Sequence, residues 1–169
     1  MIPERLKKGD IVGVIAPSNV ITDDRMEAIN NSKKLIESAG YKVKFSTNFR
    51  ANSKSFGASA KEKASDINEM FADKEVKAIF SATGGENANI ALDYIDYNII
   101  IENPKIICGF SDTTTLINVI NEKTGLVTFH GANFKSFTGW ETEYGFNEVI
   151  KRFEEANIDL EIQMKNIKQ

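Results

Sequence analysis

Apolar residues recur along this chain in two alternating patterns. The runs Ile11-Val-Gly-Val-Ile-Ala16 and Val76-Lys-Ala-Ile-Phe-Ser81 are nearly continuous and read as buried strands. Between and after them, the stripes Met26, Ile29, Leu35, Ile36, Ala39 and Ala64, Ile67, Met70, Phe71 repeat at helical spacing. The first helix opens at Thr22-Asp23-Asp24, whose acids suit the positive end of the helix dipole, and Gly40 stops it. Tyr41 to Ser46 alternates as a short second strand. The polar stretch from Asn48 to Ala58 reads as a loop, and Ser59-x-x-Glu62 is a capping-box signature for the second helix. The third strand runs into Thr83-Gly84-Gly85-Glu86-Asn87, then a short helix through Ile90 and Leu92, then another short element from Asn98 to Ile101. Pro104 introduces a fourth strand, Ile106-Ile107-Cys108. A helix follows Ser111 through Leu116, Val119 and Ile120 and ends near Thr124-Gly125. Leu126 to His130 is expected as a fifth strand, and a last helix from about Gly145 to Ala156 carries Phe146, Val149, Ile150 and Phe153.

Strands that alternate with helices predict βαβ units. The expected class is α/β, an open and mostly parallel sheet with helices on both faces, Rossmann- or flavodoxin-like. Right-handed crossovers then bring the loops Pro17-Ser18, Gly84-Gly85, Ser111-Asp112 and His130-Gly131 to the carboxyl ends of the strands, where they can share one crevice. Residues 1–157 form one expected domain, and residues 158–169 read as a connector.

Composition narrows the function classes. A length of 169 residues, 41% apolar and 27% charged, suits a soluble globular domain. The net charge of −3, with lysines interleaved among acids, gives no footprint for nucleic acid. No segment reaches the length of a membrane span and the amino terminus lacks a signal-type apolar core, so a cytoplasmic location is the expectation. One cysteine, Cys108, rules out an internal disulfide framework and any cysteine-based zinc site, and its apolar run marks it as a buried structural thiol. No cofactor motif is visible: G-x-G-x-x-G is absent.

The chemistry concentrates in Lys105-Ile-Ile-Cys-Gly-Phe-Ser-Asp-Thr-Thr114. An apolar run, a glycine, a serine and an immediate helical pattern describe a strand, a sharp turn bearing Ser111, and a helix. A serine so placed stands exposed at the sheet edge over a helix N-terminus. The plainer reading is that Ser111 or Asp112 only caps the helix, and the two roles are compatible. Thr113 replaces the second glycine of G-x-S-x-G. Gly84-Gly85 is either a tight turn or a surface that lets substrate approach the backbone. In the second case an N–H at Gly85 and the N–H of Asp112 would face a developing oxyanion. His130, the sole histidine, ends the fifth strand as a crevice-lining residue or as a base, with no orienting carboxylate to nominate beside it.

Taken together and in order, these motifs resemble the LD-carboxypeptidase and microcin-immunity (MccF-type) serine peptidase family. The matching segments are Pro3-x-x-Leu6-x-x-Gly9-Asp10, Ile15-Ala-Pro-Ser18, Ala64-x-Asp66 with Met70-Phe71-x-Asp73, Gly84-Gly85, and Leu92-x-x-Ile95-Asp96. Pro104-Lys105, Gly109-Phe110-Ser111-Asp112-x-Thr114-x-Leu116 and Thr124-Gly125-Leu126-x-Thr128-x-His130-Gly131 complete the set. The resemblance implies that Ser111 is a nucleophile, that amides at Asp112 and the Gly84-Gly85 turn form an oxyanion hole, and that Pro17, Ser18, Asn87, His130 and Gly131 contact substrate. It implies hydrolysis of an amide beside a carboxylate-bearing terminal group, in a murein peptide during peptidoglycan recycling or in an aminoacyl nucleotide, with no cofactor. Many LD-carboxypeptidases carry an arginine before the paired glycines. Here that position is Thr83, followed after the glycines by Glu86-Asn87, which leans towards the immunity branch; Glu86 itself has no evident role. The family also implies a carboxy-terminal domain that supplies the catalytic glutamate and histidine, which these 169 residues lack. This chain alone is therefore expected to be inactive or nearly so, and a non-catalytic ligand-binding module is the alternative. Family members are often dimers, which leaves a homodimer open.

Overall fold

The computed structural model describes residues 1–52, 57–138 and 143–155. The expected connector at 158–169, the end of the last helix at Ala156 and part of the 48–58 loop lie outside the described residues.

Five strands, β1 (Ile11–Ile15), β2 (Lys42–Phe45), β3 (Val76–Ser81), β4 (Ile106–Gly109) and β5 (Phe129–His130), pair in the order β2-β1-β3-β4-β5, all parallel. This is the flavodoxin-like order of a doubly wound sheet, whose functional crevice lies at the carboxyl ends beside the β1/β3 switch point. The helices are α1 (Asp23–Ser38), α2 (Ala60–Ala72), α3 (Tyr97–Glu102), α4 (Thr113–Thr124) and α5 (Glu143–Glu154), with 3₁₀ segments at Ala88–Tyr94 and Phe134–Thr138.

Alternation along the buried strands divides the core into two layers. Val12, Val14, Ala78, Phe80, Ile106 and Cys108 meet Ile29 and Ile36 of α1, Phe134 and Phe137, and Phe146, Ile150 and Phe153 of α5. On the other face, Ile79 and Ile107 meet Ile67, Met70 and Phe71 of α2, Ile100 of α3, and Leu116, Ile117 and Ile120 of α4. Burial on both faces explains why these strands read as continuous apolar runs. The capping box expected at Ser59 forms in both directions, between Ser59 Oγ and the Glu62 N–H and between Glu62 Oε2 and the Ser59 N–H. Gly125 closes α4 in the left-handed conformation at φ 69°. No described helix is both long and apolar enough to cross a membrane.

Two elements depart from the sequence expectation. The fifth strand is two residues long rather than five. Its expected first half is held elsewhere: the Leu126 N–H donates to Thr124 Oγ1 at 3.1 Å, the Leu126 carbonyl accepts from Asn121 Nδ2 at 2.7 Å, and the Val127 N–H goes to the Met1 carbonyl at 2.7 Å. The 3₁₀ turn at 134–138, absent from the sequence reading, buries Phe134 and Phe137 three residues apart.

Candidate active site

Ser111 occupies the turn between β4 and α4 and is exposed at the carboxyl edge of the sheet. Its φ is 64°, the only positive φ of a non-glycine residue among the described residues. An L-residue enters this region only when its surroundings force it, and such strain clusters at functional sites. Three sets of hydrogen bonds hold the turn. Buried Asn133 grips the backbone just before the serine: the Phe110 N–H donates to Asn133 Oδ1 at 3.2 Å and Asn133 Nδ2 donates to the Phe110 carbonyl at 3.4 Å. The Thr114 N–H folds back to the Ser111 carbonyl at 2.9 Å to begin the helix. Beneath the turn, Ser81 Oγ and Thr113 Oγ1 lie 2.8 Å apart, and Ser81 donates to the Thr83 carbonyl at 2.9 Å, which joins the β3 and β4 loops.

The paired glycines stand opposite. A Cβ on Gly84 would lie 2.9 Å from Ser111 Cβ and 3.0 Å from its Oγ, so only glycine lets the serine hydroxyl rest against this backbone. A Cβ on Gly85 would collide with Ser18 Oγ at 2.4 Å and Asn19 Cγ at 2.5 Å. The result is a cleft of about 250 Å³ lined by Thr83, Gly84, Gly85, Phe110, Ser111, Asn133, Lys135 and Ser136. Among the described residues, Ser111 Oγ and the N–H groups of Gly85 and Asp112 have no hydrogen-bond partner.

The other expected site residues, Asp112 among them, lie around this cleft rather than in its wall. Pro17 and Ser18 are buried, and the Ser18 hydroxyl donates to Asp112 Oδ2, which also accepts the Ala88 N–H at 2.8 Å. Asn87 is half-buried: its Nδ2 donates to Asn19 Oδ1 at 3.2 Å and its Oδ1 accepts from the Lys63 ammonium. Glu86 is exposed, with its N–H donated to Asn19 Oδ1 at 3.2 Å. His130 is exposed at the end of β5, in register with Gly109. Gly131 packs against the Cys108 sulfur, and its N–H donates to the Gly109 carbonyl at 3.2 Å. Burial pushes the Cys108 thiol up to about 12, so it stays protonated.

Sequence reasoning missed Lys63, Asn133, Lys135 and Ser136. Only Lys63 left a signal, as a charge placed one turn before Ile67 on the apolar stripe of α2. Burial lowers the pKa of its ammonium, and the nearby Asp112 carboxylate works against that shift.

A five-stranded parallel sheet with a polar cleft at its carboxyl edge, between the β3 and β4 loops, defines a doubly wound α/β protein. The chain belongs to the family of the LD-carboxypeptidase N-terminal domain, whose model matches residues 12–131. It is 37% identical over 137 residues to the putative carboxypeptidase YocD of Bacillus subtilis, which covers 81% of this chain and 42% of that protein. A probable murein peptide carboxypeptidase of the same bacterium is 37% identical over 129 residues, 76% of this chain and 40% of that one. In solved structures, the microcin C7 self-immunity protein MccF in complex with aspartyl sulfamoyl adenosine matches with a TM-score of 0.87 at 30% identity, over 93% of this chain and 48% of that one. The chain thus spans about two-fifths of the length of these sequence relatives.

Proposed function

We propose that Ser111 is the nucleophile of a cytoplasmic serine carboxypeptidase or amidase. The observation that carries this reading is the left-handed, exposed Ser111 pressed against Gly84 in a cleft that Gly85 also lines. A base takes the Ser111 hydroxyl proton as Oγ attacks the scissile carbonyl carbon, the C–O bond forms, and the π electrons move onto the carbonyl oxygen. The N–H groups of Gly85 and Asp112 receive that oxyanion. Collapse breaks the C–N bond as the base hands that proton to the departing amine; water, giving a proton to the same base, then attacks the acyl ester, and the C–O bond to Ser111 breaks to return the serine hydroxyl and release the acid.

A serine hydroxyl needs a base for this step. Among the described residues none is bonded to Ser111 Oγ. We assign the base and its orienting carboxylate to a carboxy-terminal domain beyond residues 1–157, reached through the connector at 158–169. Residues 1–169 alone then turn over little or not at all. The relatives' names span a murein peptide carboxypeptidase and a microcin immunity protein bound to an aminoacyl nucleotide analogue. Thr83 in the cleft wall, where many LD-carboxypeptidases carry arginine, favours the aminoacyl nucleotide for this chain. A substrate reaching along the sheet edge would meet exposed His130, and a homodimer belongs to the same family reading.

The test is hydrolysis of an aminoacyl nucleotide and of a murein tetrapeptide, followed by mass spectrometry. Residues 1–169 are assayed alone and with the carboxy-terminal half of a family member added. Turnover that appears on addition and vanishes in Ser111→Ala is expected. Turnover that survives Ser111→Ala overturns the nucleophile assignment, and ligand binding without turnover in every mixture supports a binding module instead.

A further inference from the structure

We propose that Lys63 is a positioning residue for this hydrolysis, a buried cation that holds both oxyanion donors in place through the loops around it. The inference rests on the Ser111 reading. Lys63 is 1% exposed. A charge at that depth is costly unless its protons are all taken up. Its ammonium donates to the Ser18 carbonyl at 2.7 Å, to Asn87 Oδ1 and to the Asn87 carbonyl at 3.5 Å. A lysine that only filled the core could take carbonyls anywhere along its helix. This one takes them from the β1–α1 loop and the β3 loop, which flank the cleft.

Each loop leads to one donor. Ser18, held through its carbonyl, gives its hydroxyl to the Asp112 carboxylate, which also accepts the Ala88 N–H at 2.8 Å. Asp112 is the residue whose N–H directly follows the nucleophile. Asn19, the next residue of the same loop, accepts the Glu86 N–H and Asn87 Nδ2, each at 3.2 Å. Gly85 is pressed onto this pair so closely that a Cβ would fall 2.4 Å from Ser18 Oγ. The two amides, 27 positions apart in sequence by their numbers, therefore share one support. Asn133 does not replace it, because it grips Phe110 on the other side of the serine.

Removing one oxyanion donor costs on the order of 10²- to 10³-fold in kcat. Releasing both from their support is expected to cost about 10²-fold by the same yardstick. The experiment uses the chain complemented as above, with Lys63→Met, Lys63→Arg and Ser18→Ala. Lys63→Met is expected to lower kcat about 10²-fold and Ser18→Ala about tenfold, each with KM within about twofold, since the donors act on the transition state. Lys63→Arg, which keeps the cation, recovers most of the rate. In ¹⁵N spectra of residues 1–169, the Gly85 and Asp112 amides shift or broaden in Lys63→Met and Ser18→Ala while the Phe110 amide stays in place. If Lys63→Met fails to fold, Ser18→Ala carries the test, since it alters no charge. A folded Ser18→Ala with wild-type kcat and unmoved Gly85 and Asp112 resonances overturns the inference. That result beside a dead Ser111→Ala defeats this inference alone, whereas an active Ser111→Ala defeats the nucleophile reading first.

Discussion

Replacing Ser111 by glycine should make the protein more stable while removing its proposed nucleophile. The serine sits at φ 64°, where a Cβ crowds the backbone. Holding an L-residue there costs about 1–2 kcal/mol. Glycine removes that cost, and its greater freedom in the unfolded chain takes back about 0.5–1 kcal/mol. Ser111 is exposed, so little packing is lost with its side chain. The net expectation is a gain of about 0.5–1 kcal/mol for Ser111→Gly relative to Ser111→Ala, which keeps the Cβ and the strain. For a chain of this length that is a rise of about 2 °C in Tm. Scanning calorimetry of the wild type and both variants at one pH and salt concentration measures it. A Ser111→Gly protein that melts at or below the temperature of Ser111→Ala would show that the turn stores no strain, and the structural argument for a built nucleophile would fall with it.

Gly84→Ala, whose Cβ would press on the Ser111 Cβ at 2.9 Å and Oγ at 3.0 Å, should cost about 1–3 kcal/mol of stability and on the order of 10² in single-turnover rate of the complemented protein. Loss of stability without loss of rate would contradict it. Asn133→Ala takes away the partners of the half-buried Phe110 N–H and carbonyl and should cost about 1 kcal/mol, read as a lower urea midpoint at unchanged slope. Lys105 donates to the Met70 carbonyl at 2.9 Å and to that of Asp73, closing the end of α2, and burial lowers its pKa from 10.5 to about 8, against the pull of Asp73. Above pH 8 the native protein has released a proton that the unfolded chain still binds up to pH 10.5, so stability rises with pH across this window. Denaturation at pH 7.5 and 9.5 should show Lys105 contributing a rise of about 2 kcal/mol that Lys105→Met abolishes; an equal rise in the variant would refute it. Buried Cys108, its thiol held up at about 12, should react with a disulfide reagent only at the rate of unfolding, and a fast native reaction would contradict its placement.

The sheet was legible because both its faces are covered. Ile79 packs on one layer and Phe80 on the other, so β3 has to be apolar throughout, and the stripes Ile29/Ile36 and Ile67/Met70/Phe71 mark the helices that cover it. The Ser111 turn was legible for a local reason: an apolar strand, a glycine and a helical pattern leave the serine only one place. The end of the sheet was not. Leu126 to Thr128 alternates like a strand, but Met1 and Asn121 take the hydrogen bonds that pairing with β4 requires. The network under the cleft was beyond local reading for a different reason. Ser18 and Asp112 are 94 residues apart and Lys63 is 45 from Ser18, and no spacing rule links such positions. A lysine on the stripe of α2 was the one trace it left. Asn133 follows a histidine and a glycine that draw the eye, yet it is the residue that holds the turn.

The hydrolysis proposed for this chain depends on the Ser111 hydroxyl being the reacting group. A fluorophosphonate probe, applied to the complemented protein and mapped by peptide mass spectrometry, tests it directly. A single adduct on the peptide containing Ser111, absent from Ser111→Ala, is the predicted result. An adduct on another residue in a protein that turns over substrate would contradict it.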